Sequence, residues 1–262
     1  MMQLLSVVII TYNEEKNIRR CIESVKPVAD EVMVLDSFSD DRTVEIALSL
    51  GAVVKQQKFD GYIKQKNKAI NLATNNYVLL LDADEALSEE LADSIRKAKE
   101  NFIYKAYGMK RCSIFRGKFI RHGLWYPDKK LRLFDKRFGA CGGLNPHDRI
   151  IMHKETDVKM LDGELFHHTY ETIEEYGQRN EEVSMVAAQS LYDAGIRKPR
   201  WKIVLSPLWA FINGYILRLG FLEGYEGFII AVNTSQQCYS KYQKLRQLQR
   251  EEVAEVAWEK TY

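Results

Sequence analysis

The chain has little that would mark it as secreted, repetitive or nucleic-acid-binding. Its four cysteines, Cys21, Cys112, Cys141 and Cys238, stand far apart and form no C-x-x-C pair. That spacing reads as unpaired thiols in a reducing compartment rather than a disulfide framework. Cys21 falls on the apolar face of a predicted helix, where a small buried thiol is ordinary. An excess of one charge is also missing: 38 basic residues face 36 acidic ones, which excludes a strongly polybasic nucleic-acid binder. The start, Met1-Met2-Gln3, enters a strand without the charged, apolar and small-residue segments of a signal peptide, so a cytoplasmic location is expected. Asn233-Thr234-Ser235 is then a chance glycosylation sequon. No internal repeat or low-complexity linker is visible. With 46% apolar residues the chain has ample core without disulfides or a structural metal.

What is present in the first third is an alternation of two hydrophobic periods. Ser6–Ile10 is a continuous apolar run, as expected of a buried parallel strand. Asn13 offers a helix N-cap, Glu14 and Glu15 suit a helix start, and Ile18, Ile22 and Val25 share one face. Val32–Leu35 reads as a second strand. Asp40 or Asp41 caps the next helix, which Gly51 ends. Val53-Val54, a helix through Ile63, Ile70 and Ala73, and the strand Tyr77–Leu81 complete a βαβαβαβ pattern. The predicted fold is α/β, a mostly parallel sheet with helices on both faces. In such sheets ligands bind beyond the carboxyl ends of the strands. The polar clusters Thr11-Tyr12-Asn13-Glu14, Asp36-Ser37 and Asp82-Ala83-Asp84-Glu85 fall at those ends, so all three converge on one rim.

The Asp82-x-Asp84 pair carries the most chemistry. Two carboxylates at alternate positions past a strand end can approach a hard divalent cation, and Mg²⁺ or Mn²⁺ commonly bridges carboxylates to substrate phosphates. Such an ion neutralises charge developing on a diphosphate leaving group. A bare D-x-D is common in acidic turns. Here it follows an apolar strand and shares its rim with Asp36.

These segments resemble family 2 glycosyltransferases of the GT-A fold. The resemblance rests on Ser6–Glu14, on Val34-Leu35-Asp36-Ser37 with Asp40-Asp41-Arg42-Thr43, and on Leu80–Glu85, in order and spacing. It implies that Thr11, Tyr12, Asn13 and Glu14 line a nucleotide pocket and that Asp36 contacts uridine. It also implies that Asp82, Ala83 and Asp84 hold a diphosphate and a metal ion. Gln65-Lys66-Asn67-Lys68-Ala69 is similar to the family's A-x-N segment, with Lys66 where an arginine is usual. Lysine supplies a cation for the diphosphate but no planar fork.

The second half resembles a narrower branch, enzymes that add glucose or a related sugar to the inner core of lipopolysaccharide. Its matching pieces are Lys130–Phe134, Pro146-His147-Asp148-Arg149, His167-His168-Thr169-Tyr170 with Glu174-Glu175-Tyr176, and Gly220–Gly224 with Gly227-Phe228. The branch usually carries glutamate where this chain has Asp148. The resemblance implies a UDP-sugar donor, Mn²⁺ or Mg²⁺, and a lipid-linked saccharide acceptor. Inverting transfer needs a base for the acceptor hydroxyl, and Asp148 is the candidate. Arg132 is a candidate diphosphate ligand. His167 is a candidate for the metal shell or a phosphate oxygen, with His147, His153 and His168 as competitors.

The donor half is expected over residues 1–100, an acceptor half over 101–170, and a helical appendage over 171–262. Within the appendage Ile203–Leu222 is twenty residues with one charge, Arg218. Lys198, Arg200 and Lys202 precede it, and Trp201, Trp209, Tyr215 and Tyr225 suit a lipid interface. Peripheral attachment to the inner face of the cytoplasmic membrane is expected; core packing, a contact between two copies of the chain and a true span are the alternatives. The competing functions are a haloacid-dehalogenase-like sugar phosphatase, which also uses D-x-D after a strand, and a non-catalytic nucleotide-sugar-binding subunit. A dinucleotide-binding dehydrogenase is disfavoured, since the turn Thr11–Glu15 contains no glycine.

Overall fold

The computed structural model describes residues 3–144 and 147–259, without the side chains of His147 and residues 252–259. The described residues fall into two compact units, one of 3–114 with 127–143 and 147–169, the other of 115–126, 144 and 170–259.

In the first unit the three central apolar runs become strands covered on both faces, while the short run at Val53-Val54 forms a largely exposed edge strand. β1 (Leu5–Thr11) is buried along its whole length. It lies between β2 (Glu31–Asp36) and β4 (Tyr77–Asp82), parallel to both, and β3 (Val53–Gln56) flanks β2. The connecting helices α1 (Ile18–Val25), α2 (Thr43–Ser49) and α3 (Tyr62–Leu72) complete the parallel half. Two clusters separated by the sheet form the core. Val7, Ile9, Leu79 and Leu81 join Ile18, Cys21 and Ile22 on one face; Val8, Leu80 and Phe134 join Ala69 and Ile70 on the other. The alternation along β1 and β4 is the period-2 geometry of a strand.

Local capping departs from the sequence expectation at α1. Asn13 is not its N-cap: the helix starts at Ile18, and Asn13 adopts a left-handed φ of 53°. Its side-chain oxygen instead accepts from the Asp40 amide at 3.0 Å. Asparagine tolerates that conformation because its short amide bonds locally. At α2 the N-cap position is likewise neither Asp40 nor Asp41 but Arg42, without a side-chain cap bond, although Asp41 accepts from the Thr43 amide at 2.9 Å.

The sheet continues past β4 with reversed direction. Its order is β3-β2-β1-β4, then β8 (Asp128–Asp135), β6 (Ala106–Phe115), β11 (Val158–Tyr170) and β5 (Glu85–Leu87). β8 is antiparallel to β4, and β11 is antiparallel to β5. Between β5 and β6 lies α4 (Glu89–Glu100), whose N-cap Ser88 accepts from the Leu91 amide at 3.1 Å. Gly163 lets β11 pass this helix start: its φ is 87°, and a Cβ would sit 2.3 Å from the Leu91 nitrogen. A separate two-stranded sheet pairs β9 (Gly139–Leu144) with β10 (His147–Met152).

The second unit is mostly helical and includes the short strand β7 (Lys118–Ile120). α5 (Ile173–Asp193) starts at the Thr172 cap and packs along α7 (Gly224–Glu259), as does α6 (Lys202–Phe211). Phe115, Ile120, Tyr176 and Ile230 form its buried centre, with Tyr170 stacked on Tyr176 at 4.7 Å. After α6 the chain widens into a π-helical turn over Ile212–Leu217, and a 3₁₀ turn follows over Gly220–Glu223. Gly227 is obligatory at the next crossing, because a Cβ there would lie 1.9 Å from the Gly220 carbonyl oxygen. No single helix among the described residues is long and apolar enough to cross a membrane. Lys202–Leu217 and Gly220–Glu251 pass that test only as a pair, bent by 71°.

Candidate active site

The three polar clusters lie side by side at the ends of the parallel strands. Thr11 is the register partner of Asp36, and Ile10 that of Asp82. Asp36 is fully buried and accepts from the Ser39 amide at 3.0 Å, the Ser39 hydroxyl, and the Gln56 amide group at 3.0 Å. Gln65 donates to Ser37 at 3.0 Å, while its own carbonyl oxygen and the Thr11 hydroxyl are buried without a hydrogen-bond partner. Buried polar atoms in this state carry a desolvation penalty that a ligand can relieve. Tyr12 is exposed above them, and Glu14 binds the Asn17 side chain at 2.7 Å.

Beside this hollow stands a ladder of charges. Lys66, only 4% exposed, reaches Asp82 at 3.0 Å and Asp148 at 2.9 Å. Arg132 joins Asp82 at 2.9 Å to Glu85 at 2.7 Å. Arg111 continues from Glu85 at 3.1 Å to Asp128 at 2.7 Å. Burial raises the Asp82 pKa, but Lys66 and Arg132 more than offset it and hold the carboxyl well below its usual range. Burial likewise opposes the charge on Lys66, yet Asp82 and Asp148 keep its pKa above the ordinary lysine value. Lys66 and Asp82 therefore meet as an ion pair at neutral pH. The ladder crosses from the parallel to the antiparallel half of the sheet, since Arg132 comes from β8 and Arg111 from β6.

Asp84 belongs to a separate pair. The β5–β11 register sets His167 opposite Glu85, and the His168 amide donates to the Asp84 carbonyl at 2.9 Å. This brings His167 Nε2 to 3.1 Å from Asp84 Oδ2. Burial raises the Asp84 pKa, but His167 turns the balance and the carboxyl lies below its ordinary value. The other Asp84 oxygen and His167 Nδ1 are buried with no partner. Ala83 between the two aspartates is buried in the core. Among the described residues no group of three or more His, Cys, Asp or Glu side chains is gathered as a metal shell. Asp84 and His167 fit a divalent ion that takes its remaining ligands from phosphate and water. Asp82 fits less well, because cations already occupy both of its oxygens.

The sequence-predicted residues thus divide. Lys66, Asp82, Arg132 and Asp148 form one connected group; Asp84 and His167 form a second; Thr11, Asp36 and Glu14 line the strand ends. His168 stands next to the site, its pKa pushed down to about 4, mainly by burial. Pro146 and the side chain of His147 lie outside the described residues. Glu85 and Arg111 were not read as parts of this network from sequence. Glu85 was visible only as an acid after D-x-D, and Arg111 gave no signal, since its partners come from other strands.

A model of the family described as "Glycosyl transferase family 2" matches residues 6–154, more than half of the chain. The chain belongs to that family. This glycosyltransferase is 32% identical over 257 residues to an uncharacterized glycosyltransferase of Rickettsia typhi, covering 94% of this chain and 88% of that protein. Among solved structures it is similar to glucosyl-3-phosphoglycerate synthase from Mycobacterium tuberculosis, a complex with Mn²⁺, UDP and glucosyl-3-phosphoglycerate. That match is 25% identical, covers 44% of this chain and 45% of the other, and has a TM-score of 0.35. S. aureus TarS (1–349) matches at 15% identity over 90% and 91%, with a TM-score of 0.47. Membership identifies the parallel half as the GT-A nucleotide-sugar fold and sets the phosphatase reading aside.

Proposed function

We propose that this family 2 enzyme is an inverting, metal-assisted hexosyltransferase that moves glucose from UDP-glucose to a lipid-linked saccharide, such as a lipopolysaccharide core. The observation that carries the reading is the Lys66 ammonium held between Asp82 and Asp148. One cation there links the carboxylate of the D-x-D motif to a carboxylate suited to proton abstraction. Thr11, Tyr12, Asn13, Glu14 and Asp36 bind the nucleoside, where Thr11 and Gln65 offer free polar atoms. Lys66 and Arg132 receive the diphosphate beside Asp82 and Ala83. Asp84 and His167, with Asp82 as the lesser contributor, hold Mn²⁺ or Mg²⁺. A bound ion there supplies charge neutralisation for the departing diphosphate. As the acceptor oxygen bonds to the anomeric carbon, the bond from that carbon to the diphosphate breaks. Asp148 takes the hydroxyl proton and UDP leaves with the electron pair.

The second unit supports work at the cytoplasmic face of a membrane. No residue of α6 is buried, and Val204, Leu208 and Trp209 are 67%, 54% and 59% exposed. A helix that leaves these apolar side chains exposed on one side suits hydrocarbon better than water, and Lys198, Arg200 and Lys202 attract anionic headgroups. Residues 1–170 would then act as donor and acceptor region, and 171–262 as the anchoring region.

Two measurements test the reaction. Calorimetric titration of UDP should show tighter binding with Mn²⁺ for the wild type and a loss of that difference in Asp84→Ala. UDP release from UDP-glucose should fall roughly 10²–10⁴-fold in Asp148→Asn with UDP affinity retained. Metal-independent UDP binding, or normal turnover by Asp148→Asn, overturns the assignment.

A further inference from the structure

Asp148 sits on β10, in a small sheet hydrogen-bonded separately from the main one; Cys141 and Ile150 pack it into the apolar core beside Ala69 and Phe134, and polar contacts further tie it to the donor side. Two consecutive residues of α3 supply those contacts. Lys66 meets the Asp148 carboxylate directly. Asn67 turns its amide to the backbone of β9: its Nδ2 donates to the Cys141 carbonyl at 2.8 Å, and its Oδ1 accepts from the Cys141 amide at 2.9 Å. The side-chain amide therefore completes both hydrogen-bonding groups of one strand residue, as a neighbouring strand would. The side chain of that same residue faces the base, with Cys141 Sγ 3.6 Å from Asp148 Oδ2. Cys141 is buried, so its thiol has little room to shift.

We propose that Asn67 is a positioning residue for Asp148, fixing the carboxylate through the backbone and thiol of Cys141 while Lys66 fixes it by charge. This rests on the reading of Asp148 as the base. The Asn67 amide is committed to Cys141 and has no part in holding the nucleotide. Its loss therefore changes the proton-transfer geometry and leaves donor binding in place. A displacement of about 1 Å at a reacting group can cost about 10²-fold in rate. Asn67→Asp keeps the acceptor for the Cys141 amide but sets a carboxylate against the Cys141 carbonyl, so it behaves like the alanine variant rather than the wild type.

The test uses the full chain with Mn²⁺ and UDP-glucose, water serving as acceptor. The water oxygen bonds to the anomeric carbon, its proton passes to Asp148, and UDP leaves. Turnover is compared in wild type, Asn67→Ala, Asp148→Asn and the double variant, with UDP affinity measured in each. Asn67→Ala should lower kcat about tenfold or more, keep UDP affinity within about twofold, and add nothing in the Asp148→Asn background. If Asn67→Ala does not fold, Asn67→Ser and Cys141→Ala stand in its place, with a smaller fall in kcat and the same non-additivity. An undiminished kcat, or equal losses in both backgrounds, overturns the positioning role. Normal turnover by Asp148→Asn, or a wild type inactive on UDP-glucose, instead overturns the functional reading beneath it.

Discussion

Lys66→Met removes a buried charge while keeping a side chain of similar reach, and its effect can be worked out from the partners left behind. Asp82 retains Arg132 at 2.9 Å. Asp148, whose side chain is 10% exposed, loses the amine at 2.9 Å and keeps the Cys141 thiol. Breaking a buried pair on one side typically costs about 3–5 kcal/mol. A stranded carboxylate can limit this by taking up a proton. From an ordinary aspartate value of about 3.9, at about 1.36 kcal/mol per pH unit, the ceiling is about 4 kcal/mol at pH 7 and about 1.5 kcal/mol at pH 5. At about 2–4 °C per kcal/mol, Tm should fall by roughly 8–16 °C at pH 7 and roughly 3–6 °C at pH 5. The sign agrees with the two titrations. The depressed Asp82 pKa gives stability that is present above its unfolded value and lost as pH falls through the folded one. The raised Lys66 pKa gives stability present through neutral pH and lost only in strong alkali. Thermal melts at the two pH values, with Lys66→Met/Asp148→Asn alongside, provide the assay. The double variant should recover much of the loss at pH 7. A Tm within about 2 °C of wild type, equal losses at both pH values, or no recovery would refute the reasoning.

At the far end of β8, Asp135 is fully buried, and its pKa is pushed up by burial but brought below normal by hydrogen bonds from Arg137. Asp135→Asn should therefore cost about 1–3 kcal/mol at pH 7, with the difference from wild type vanishing as pH falls through the folded value in a pH series of denaturant titrations. Burial first, and the Asp148 charge second, push the Cys141 thiol up to about 12. Iodoacetamide at pH 8 should leave it unlabelled in the native protein and label it in urea, as read by peptide mass spectrometry. On anionic liposomes the wild type should float at low salt and less at high salt, and Trp209→Ser/Phe211→Ser should lose flotation; a variant that floats as well as wild type refutes the α6 contact.

The parallel half was legible because its three central strands are buried apolar runs and its helices carry one apolar face. Gly51, which follows the end of α2, was readable from its own local signal. The start of α1 was misread because Asn13 suits a cap and a left-handed turn equally well, and only the distant Asp40 amide decides between them. β5 was missed: Glu85–Leu87 is a three-residue strand whose pairing depends on β11. Helical structure over 171–262 was expected and α7 lies within it, though its bounds gave no local signal. In the site, each rim cluster could be found from its own strand. The ladder could not, because alternating charges on Lys66, Arg132 and Arg111 become neighbours only through pairing between strands far apart in sequence.

Those separations bear on when the site comes into being during synthesis. Arg132 meets Asp82 across 50 residues, and His167 meets Asp84 across 83. At about 5–20 residues per second, Asp84 leaves the ribosome about 4–17 s before His167. Lys66, the partner of Asp82, precedes it in the chain, and Arg111 and Arg132 follow within that interval, so Asp84 is the acid that waits longest for its partner. β8 brings Arg132, and β11, the last strand of the main sheet in chain order, brings the histidine. A nascent or truncated chain that ends before β11 holds Asp36, Asp82 and Asp84 but lacks His167.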